Sequence, residues 1–542
     1  MPYNRPQSEF DMVQLENIHI ILVLLLGSLF IGGMVRLFKQ GYWVNWVWLM
    51  AFLVYGWTVM ATKEQALFLA LVLILPLGFV NVLCYVFFPK EKSVPSDRTY
   101  NVTLPTKKGN LTLENIRRGI AIIGAAGSGK TESVVHGLLK HFSQHNFSGV
   151  IHDYKDFEIT ELAYPLFAQN DTQFFIVSFD RLYHKVNPIA PRYLPDEESV
   201  NEVSRVLVEN LLEHQDGNRN ATTRFFNDVV EGLIGGMIWR LKTDFPNLCT
   251  LPHLIALYQH LDAEQLIAFL SADLTSRAMA DAFISGVDSE RQTAGVKSTL
   301  ANAFKKISTQ RIFMTLSADE VDLDINNTEN LAVVSVVNNP KIETSLSPII
   351  ATIIHTITKQ MAVRHRNPSF LLMEEASTLR LLNMHRIPAT LRSYDISTIY
   401  VLQDKIQNDM LYGDKASKAI LSNLSYQFFG KANDPDTAKY YERFFEIVKK
   451  ETRSVNKGHN LNFDTRVTKG EREVAKTRAS IFYGLQQGEF VVLCDGKDRK
   501  VQFGKPKLKR MLSNSKKVSD KDLKENFVRI HREVQSMKLS GN

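Results

Sequence analysis

The stretch Gly124-Ala125-Ala126-Gly127-Ser128-Gly129-Lys130-Thr131 carries the pattern G-x-x-x-x-G-K-[ST] at every fixed position. Glycines let such a loop turn tightly and aim backbone N–H groups at phosphate oxygens, while the helix that follows adds the positive end of its dipole. In that geometry Lys130 reaches the β- and γ-phosphates of a nucleotide and Thr131 ligates magnesium. The flanks agree: Gly119 to Ile123 reads as a short buried strand and Glu132 to Leu139 as the helix the loop requires.

Upstream, residues 18–38, 43–60 and 66–88 are strongly apolar, each roughly long enough to cross about 30 Å of hydrocarbon. The leader before them holds Glu9, Asp11 and Glu16 against Arg5, unlike a signal peptide. Arg36 and Lys39 follow the first segment, Lys63 the second, and Lys90, Lys92, Arg98, Lys107 and Lys108 the third. The positive-inside rule then gives three spans with the large C-terminal part in the cytoplasm. Trp43, Trp46, Trp48 and Trp57 also suit an interfacial middle segment, which leaves two spans.

At 542 residues the chain exceeds one ordinary core. Its formal charge of +7 permits an anionic partner without requiring one. Cys84, Cys249 and Cys494 are far apart and form no C-x-x-C pair, which argues against a zinc site or a disulfide framework.

Past the loop, Ser148 to Asp153 and Phe174 to Asp180 read as strands alternating with helices, an α/β pattern with a mainly parallel sheet. Between about residues 196 and 320 the strand pattern disappears, and 198–213, 222–241, 263–271 and 289–307 show helical spacing. Strand-like runs resume at Leu331 to Val337 and continue to Val491–Leu493. The expected layout is an anchor at 1–90, a nucleotide-binding domain in two parts at 91–195 and 321–505, an all-α domain at 196–320 and a basic tail at 506–542.

A nucleotide site needs a carboxylate at the end of a second apolar strand, near the γ-phosphate. Ser369-Phe370-Leu371-Leu372-Met373-Glu374-Glu375 supplies two. Glu374 is the candidate for the metal shell and Glu375 for polarising water. Next, Arg392 precedes a strand that ends in Gln403. That glutamine can sense the γ-phosphate or orient water, and Arg392 can act as an arginine finger across a subunit boundary. A strand-capping amide and a solvated arginine are the ordinary alternatives.

Together with Asp409 to Gly413, Ile420 to Asn423, Phe428-Phe429-Gly430 and Asp434-Pro435-Asp436-Thr437-Ala438, these motifs resemble the conjugative type IV coupling proteins of the TraD, TraG and TrwB type. The resemblance implies a membrane-anchored, RecA-like P-loop ATPase with an inserted all-α domain. It implies ATP and Mg2+ as cofactors, with Gly124 to Thr131 as the nucleotide loop, Thr131 and Glu374 at the metal, and Lys130, Glu374, Glu375, Arg392 and Gln403 as the catalytic set. It further implies a hexameric ring at the bacterial inner membrane, whose partners are transfer DNA, relaxase, relaxosome accessory proteins and the components of a type IV secretion channel. A coupling ATPase or docking receptor for protein effectors is the alternative. Glu374 stands where the family usually has aspartate, and Asp156 where a D-x-K-G-E motif has glycine.

The end of the chain, from Lys505 to Asn542, holds eleven Lys and Arg against four acids, with Leu523, Phe527, Ile530, Val534 and Met537 on one helical face. It suits docking to a partner or to DNA phosphates, or simply a solvated tail. The charged run from Lys449 to Arg478 reads as a mobile loop.

Overall fold

The computed structural model describes residues 99–537 except 171, 213–220, 287–289, 446, 458–464 and 476. The three apolar segments at 18–38, 43–60 and 66–88 lie outside the described residues, among which no helix is long and apolar enough to cross a membrane.

Thirteen strands are described. In chain order they are β1 (Val102–Thr106), β2 (Gly109–Leu113), β3 (Ile120–Ile123), β4 (Ser148–Asp153), β5 (Gln173–Val177), β6 (Ala332–Val337), β7 (Ser369–Met373), β8 (Ile396–Leu402), β9 (Tyr426–Phe429), β10 (Ile447–Lys457), β11 (Thr465–Ala475), β12 (Glu489–Cys494) and β13 (Lys497–Gln502). Nine form one sheet in the order β13-β12-β9-β3-β8-β7-β4-β6-β5. From β9 to β5 every pairing is parallel, whereas β12 runs antiparallel to both β9 and β13. Strands β3, β4, β6, β7, β8 and β9 are buried along their whole length, as expected where helices cover both faces.

Alternate residues feed two cores. Ile120, Ile122, Ile151, Phe370, Leu372 and Val401 join one apolar cluster, while Ala121, Ile123, Val150, Leu371, Met373 and Leu402 join the other. This is the period-two consequence of the pleat. The first face is covered by α1 (His136–Gln144), α2 (Thr160–Phe167) and the β1–β2 hairpin, the second by the long helices that follow.

Between β5 and β6 the described residues hold no strand. They form α3 (Glu197–Leu211), α4 (Ala221–Asp244), α5 (Leu251–His260), α6 (Ala263–Ser271), α7 (Leu274–Met279), α8 (Asp281–Ser285), α9 (Glu290–Ile307) and α10 (Gln310–Thr315). Side-chain caps start several of them: Asp196 accepts from Ser199 N–H, Thr250 from His253 N–H, and Asp262 with Gln265 completes a capping box. Their apolar faces merge with the second face of the sheet in one continuous cluster, through the contact of α3 with α11 (Glu343–Met361). After β7 come α12 (Ile387–Leu391), α13 (Lys405–Tyr412), α14 (Asp414–Ser422), α15 (Pro435–Glu442), α16 (Ala479–Tyr483) and α17 (Asp520–Gln535).

Two expectations change. The charged run beginning at Lys449 is not a loop: β10 and β11 pair antiparallel from Ile447↔Ala475 to Lys457↔Thr465. Strand pairing satisfies the backbone whatever the side-chain charge, a signal that hydropathy alone does not carry.

The basic end is not a free solvated tail either. Phe503 donates its N–H to Gly488 O, Met511 to Glu161 O and Lys516 to Leu182 O, so residues 503–519 run as a strap along the protein. Helix α17 then packs on α5 and α10, burying Ile530 and Val534, with the Phe527 ring 4.7 Å from that of Phe313 at a tilt of 40°. A capping box of Ser519 and Asp522 starts the helix, and Glu533 Oε2 accepts from His253 Nε2 at 2.9 Å. The helical face read from Leu523 to Met537 is therefore covered by the chain's own insertion.

Candidate nucleotide site

Because β3, β8, β7 and β4 are neighbours and parallel, the residues that follow each strand meet at one edge of the sheet. Open α/β sheets bind ligands at this carboxyl edge. The phosphate loop follows β3, Gln403 follows β8, Glu374 and Glu375 follow β7, and Tyr154 and Lys155 follow β4. Strand β8 lies between the strand that feeds the loop and the strand that feeds the acids, so Gln403 stands between the two groups.

The loop has the backbone the pattern demands. Gly127 and Gly129 sit at φ 74° and 88°, left-handed values that glycine adopts without strain. Gly124 donates its N–H to Leu402 O at 3.2 Å and Ala125 to Lys431 O at 2.7 Å, which fixes the loop to β8 and to the segment after β9. Thr131 to Val135 form a π-helical turn that leads into α1. The Lys130 ammonium is buried and donates to Gly124 O at 2.6 Å, with Ala125 O at 3.5 Å. Burial holds its pKa below the usual lysine value, against the raising influence of Glu375.

Glu374 and Glu375 are each only 2% exposed. Tyr154 N–H donates to Glu374 Oε2 at 3.2 Å. Lys155 Nζ donates to Glu375 Oε1 at 2.6 Å and lies 3.5 Å from Glu374 Oε1. Gln403 Nε2 donates to the same Glu375 oxygen at 2.9 Å. Burial, followed by the neighbouring Asp153, pushes the Glu374 carboxyl up to about 8. Asp153 is itself raised to about 6 by burial, although Thr160 donates both its N–H (2.7 Å) and its hydroxyl (2.5 Å) to it. Under the pair, His152 is fully buried with Nδ1 2.9 Å from Glu374 O, and burial takes its pKa down to about 4.

The polar groups at this edge outnumber their partners. Ser128 Oγ and Asp153 Oδ1 are buried without a hydrogen-bond partner among the described residues, and Glu374 Oε1 has only the ion-pair contact of Lys155 at 3.5 Å. Native interiors rarely leave such atoms unpaired, and a ligand or bound water completes them. A phosphate chain with a hard cation fits this donor set: glycine backbone, lysine and threonine for the anion, carboxylate and hydroxyl oxygens for the metal. Among the described residues no three His, Cys, Asp or Glu side chains form a metal site of their own.

Of the residues expected from the sequence, Gly124 to Thr131, Glu374, Glu375 and Gln403 come together. Arg392 does not. It is exposed in the turn ahead of β8, at the opposite end of that strand from Gln403, about 20 Å away at roughly 3.3 Å rise per residue. Sequence reasoning left the role of Lys155 open and passed over His152 and Gly488. His152 carried a signal, a polar residue directly after the apolar run Val150-Ile151, whereas Gly488 carried none.

Residues 86–481 match the profile of the family described as type IV secretory system conjugative DNA transfer. A search of curated protein sequences finds no match. Among solved structures, the bacterial conjugative coupling protein TrwBdeltaN70 in its unbound monoclinic form is similar at a TM-score of 0.60 and 11% identity, over 75% of this chain and 89% of that one. TrwB in complex with the non-hydrolysable GTP analogue GDPNP is similar at a TM-score of 0.59 and 12% identity, over 74% and 89%. TrwB with ADP and Mg2+ is similar at 0.57 and 12%, over 73% and 87%. At these identities the structures establish a shared fold, and the profile, spanning well over half of the sequence, establishes kinship: the chain belongs to the type IV secretory system conjugative DNA transfer family.

Proposed function

We propose that the chain is an ATP-hydrolysing coupling protein that receives a relaxosome and drives transfer DNA, with its attached relaxase, into a type IV secretion channel. The reading is carried by the convergence of Lys130, Glu374, Glu375 and Gln403 at one sheet edge, in a chain of the conjugative DNA transfer family. ATP and Mg2+ are the proposed ligands, in line with the TrwB structures that hold the ATP analogue ADPNP and ADP with Mg2+.

When bound, the nucleotide would supply the phosphoanhydride, and a cation would partly neutralise the negative charge that develops on it. Lys130 turns from the Gly124 carbonyl to the phosphates and adds fixed positive charge there. Thr131 and Glu374 would contribute oxygens to the cation. Glu375 aligns the attacking water, and Gln403 holds Glu375 and senses the γ-phosphate. Arg392, on the far edge, serves the site of a neighbouring subunit, an arrangement that calls for a ring and is proposed as a hexamer. Residues 1–90 anchor the chain in the bacterial inner membrane, with the large C-terminal part in the cytoplasm.

The test is ATP hydrolysis by the full chain purified in detergent, with Mg2+, with and without single- and double-stranded DNA, beside Lys130→Ala. The expected result is hydrolysis that DNA stimulates and Lys130→Ala abolishes. Hydrolysis indifferent to DNA, with export of protein effectors intact, moves the cargo to protein. Absence of hydrolysis in the wild type overturns the reading.

A further inference from the structure

Lys155 is a charged group at this edge that the roles above leave unused. It stands two residues past β4, donates to Glu375 Oε1 at 2.6 Å and faces Glu374 Oε1 at 3.5 Å. Gln403, from the end of β8, donates to the same Glu375 oxygen at 2.9 Å. Two donors from different strands therefore meet on one oxygen. A carboxylate pinned in this way has the direction of its second oxygen set, and a charged donor makes the pin about twice as strong as a neutral one.

The backbone on both sides is arranged to hold that contact. Glu375 lies at φ 44°, and Asp156 and Phe157, immediately after Lys155, lie at 47° and 75°. Left-handed conformations of such residues persist only where the surroundings over-determine them. The surroundings do so here: Phe157 is buried against Ile176, Tyr183 and Val337, with Leu512 of the C-terminal strap packed on the same cluster. Phe157 thus anchors the turn, and the turn aims Lys155 at the acids.

We propose that Lys155 is a positioning residue for Glu375: with Gln403 it fixes the carboxylate that aligns the attacking water, without itself touching the nucleotide. The proposal rests on the reading of the site as a nucleoside triphosphatase. The competing role is purely structural, in which Lys155 only offsets the charge of two buried acids. A positioning role acts on turnover, whereas a structural one lowers stability, binding and turnover together.

The experiment uses the full chain carrying Lys155→Ala, Lys155→Arg, Gln403→Ala and the Lys155→Ala/Gln403→Ala pair. It measures kcat, the Kd of a fluorescent ATP analogue and the melting temperature. Lys155→Ala is expected to lower kcat at least about tenfold, since small misplacements of catalytic groups are costly, and to leave Kd within about threefold. Lys155→Arg restores most of kcat. The double variant loses little beyond the worse single, because both residues pin one oxygen. If Lys155→Ala does not fold, Lys155→Met, which keeps the stem and loses the donor, is expected to show the same split. Wild-type kcat in Lys155→Ala or Lys155→Met overturns the proposal, as does a parallel fall of kcat, affinity and melting temperature that Arg fails to reverse. Fully multiplicative losses in the double variant also overturn it. Absence of hydrolysis in the wild type overturns the triphosphatase reading itself, whereas normal hydrolysis with an indifferent Lys155 overturns only the positioning role.

Discussion

Gly488 donates its backbone N–H to the carbonyl of Ser128 at 2.9 Å, tying the turn before β12 to the middle of the phosphate loop. A Cβ at Gly129 would lie 3.0 Å from Gly488 N and 3.3 Å from Gln487 Cγ, at a φ of 88° that L side chains rarely adopt. Gly129→Ala is therefore expected to weaken nucleotide binding at least about tenfold, the order of the 1–3 kcal/mol that such backbone strain costs. Titration with a fluorescent nucleotide checks it, and unchanged affinity would show that the loop tolerates the contact.

Removing the charge of Glu375 leaves Lys130, Thr131 and the loop glycines in place. Glu375→Gln should bind ATP at close to wild-type affinity and hydrolyse it about 100-fold or more slowly, the usual range for losing a positioned base. A single-turnover assay separates the two effects, and hydrolysis at the wild-type rate would remove Glu375 from the catalytic set.

Arg392 is exposed on the edge remote from its own phosphate loop, so any catalytic contribution is made in trans. If the proposed ring forms, Arg392→Ala and Lys130→Ala should each be inactive alone and partly active when mixed, because mixing would pair an intact loop with an intact arginine. The rise in ATPase rate on mixing, expected to be about tenfold or more for an arginine finger, is the measurement. No rise at any mixing ratio leaves Arg392 a surface residue.

Ile530 is fully buried between α17 and the helices of the insertion. Ile530→Ala is expected to cost about 2–5 kcal/mol in the stability of that contact. The loss should appear as faster proteolysis near residue 519 and a lower denaturant midpoint. Equal protease resistance in the variant would mean that the helix is not held by this face.

His355 on α11 is largely buried, and burial lowers its pKa to about 4 against the raising effect of Glu202, 3.8 Å away. The unfolded chain takes up this proton near pH 6.5 whereas the folded chain resists it, so stability falls as pH drops from about 6.5 towards 4. The shift corresponds to about 3 kcal/mol. His152, also lowered to about 4, acts in the same direction. Glu374, raised to about 8, acts in the opposite one, its contribution being lost as pH rises from about 4.5 through 8. Denaturant midpoints at pH 7 and 5 for wild type and His355→Phe isolate the term: the variant should lose less on acidification, and parallel curves would refute the assignment.

Much of the sheet was legible because its central strands are short apolar runs ending in chemistry-bearing residues. Ile120 to Ile123 before Gly124 and Ser369 to Met373 before Glu374 are two cases, and the helical spacing of 198–213 and 289–307 was as plain. The β9, β10, β11 and β13 strands were not. Lys450, Glu451 and Arg472 give no alternation of apolar and polar residues, and their pairing is set by a partner strand. The C-terminal helix was readable as amphipathic, but nothing local names what its apolar face meets.

The sequence by itself determined the phosphate loop, the acid pair and the alternation of strands and helices, because each depends on neighbours along the chain: glycine torsions, a lysine one residue from a threonine, apolar residues in runs. Only the tertiary structure decided that β8 lies between β3 and β7, that Lys155 and Gln403 share one oxygen of Glu375, that Arg392 faces away, and that the basic end folds onto the insertion. Those relations join residues from about 28 to more than 200 positions apart. Their geometry comes from parallel register and buried packing across the sheet, which no local pattern encodes.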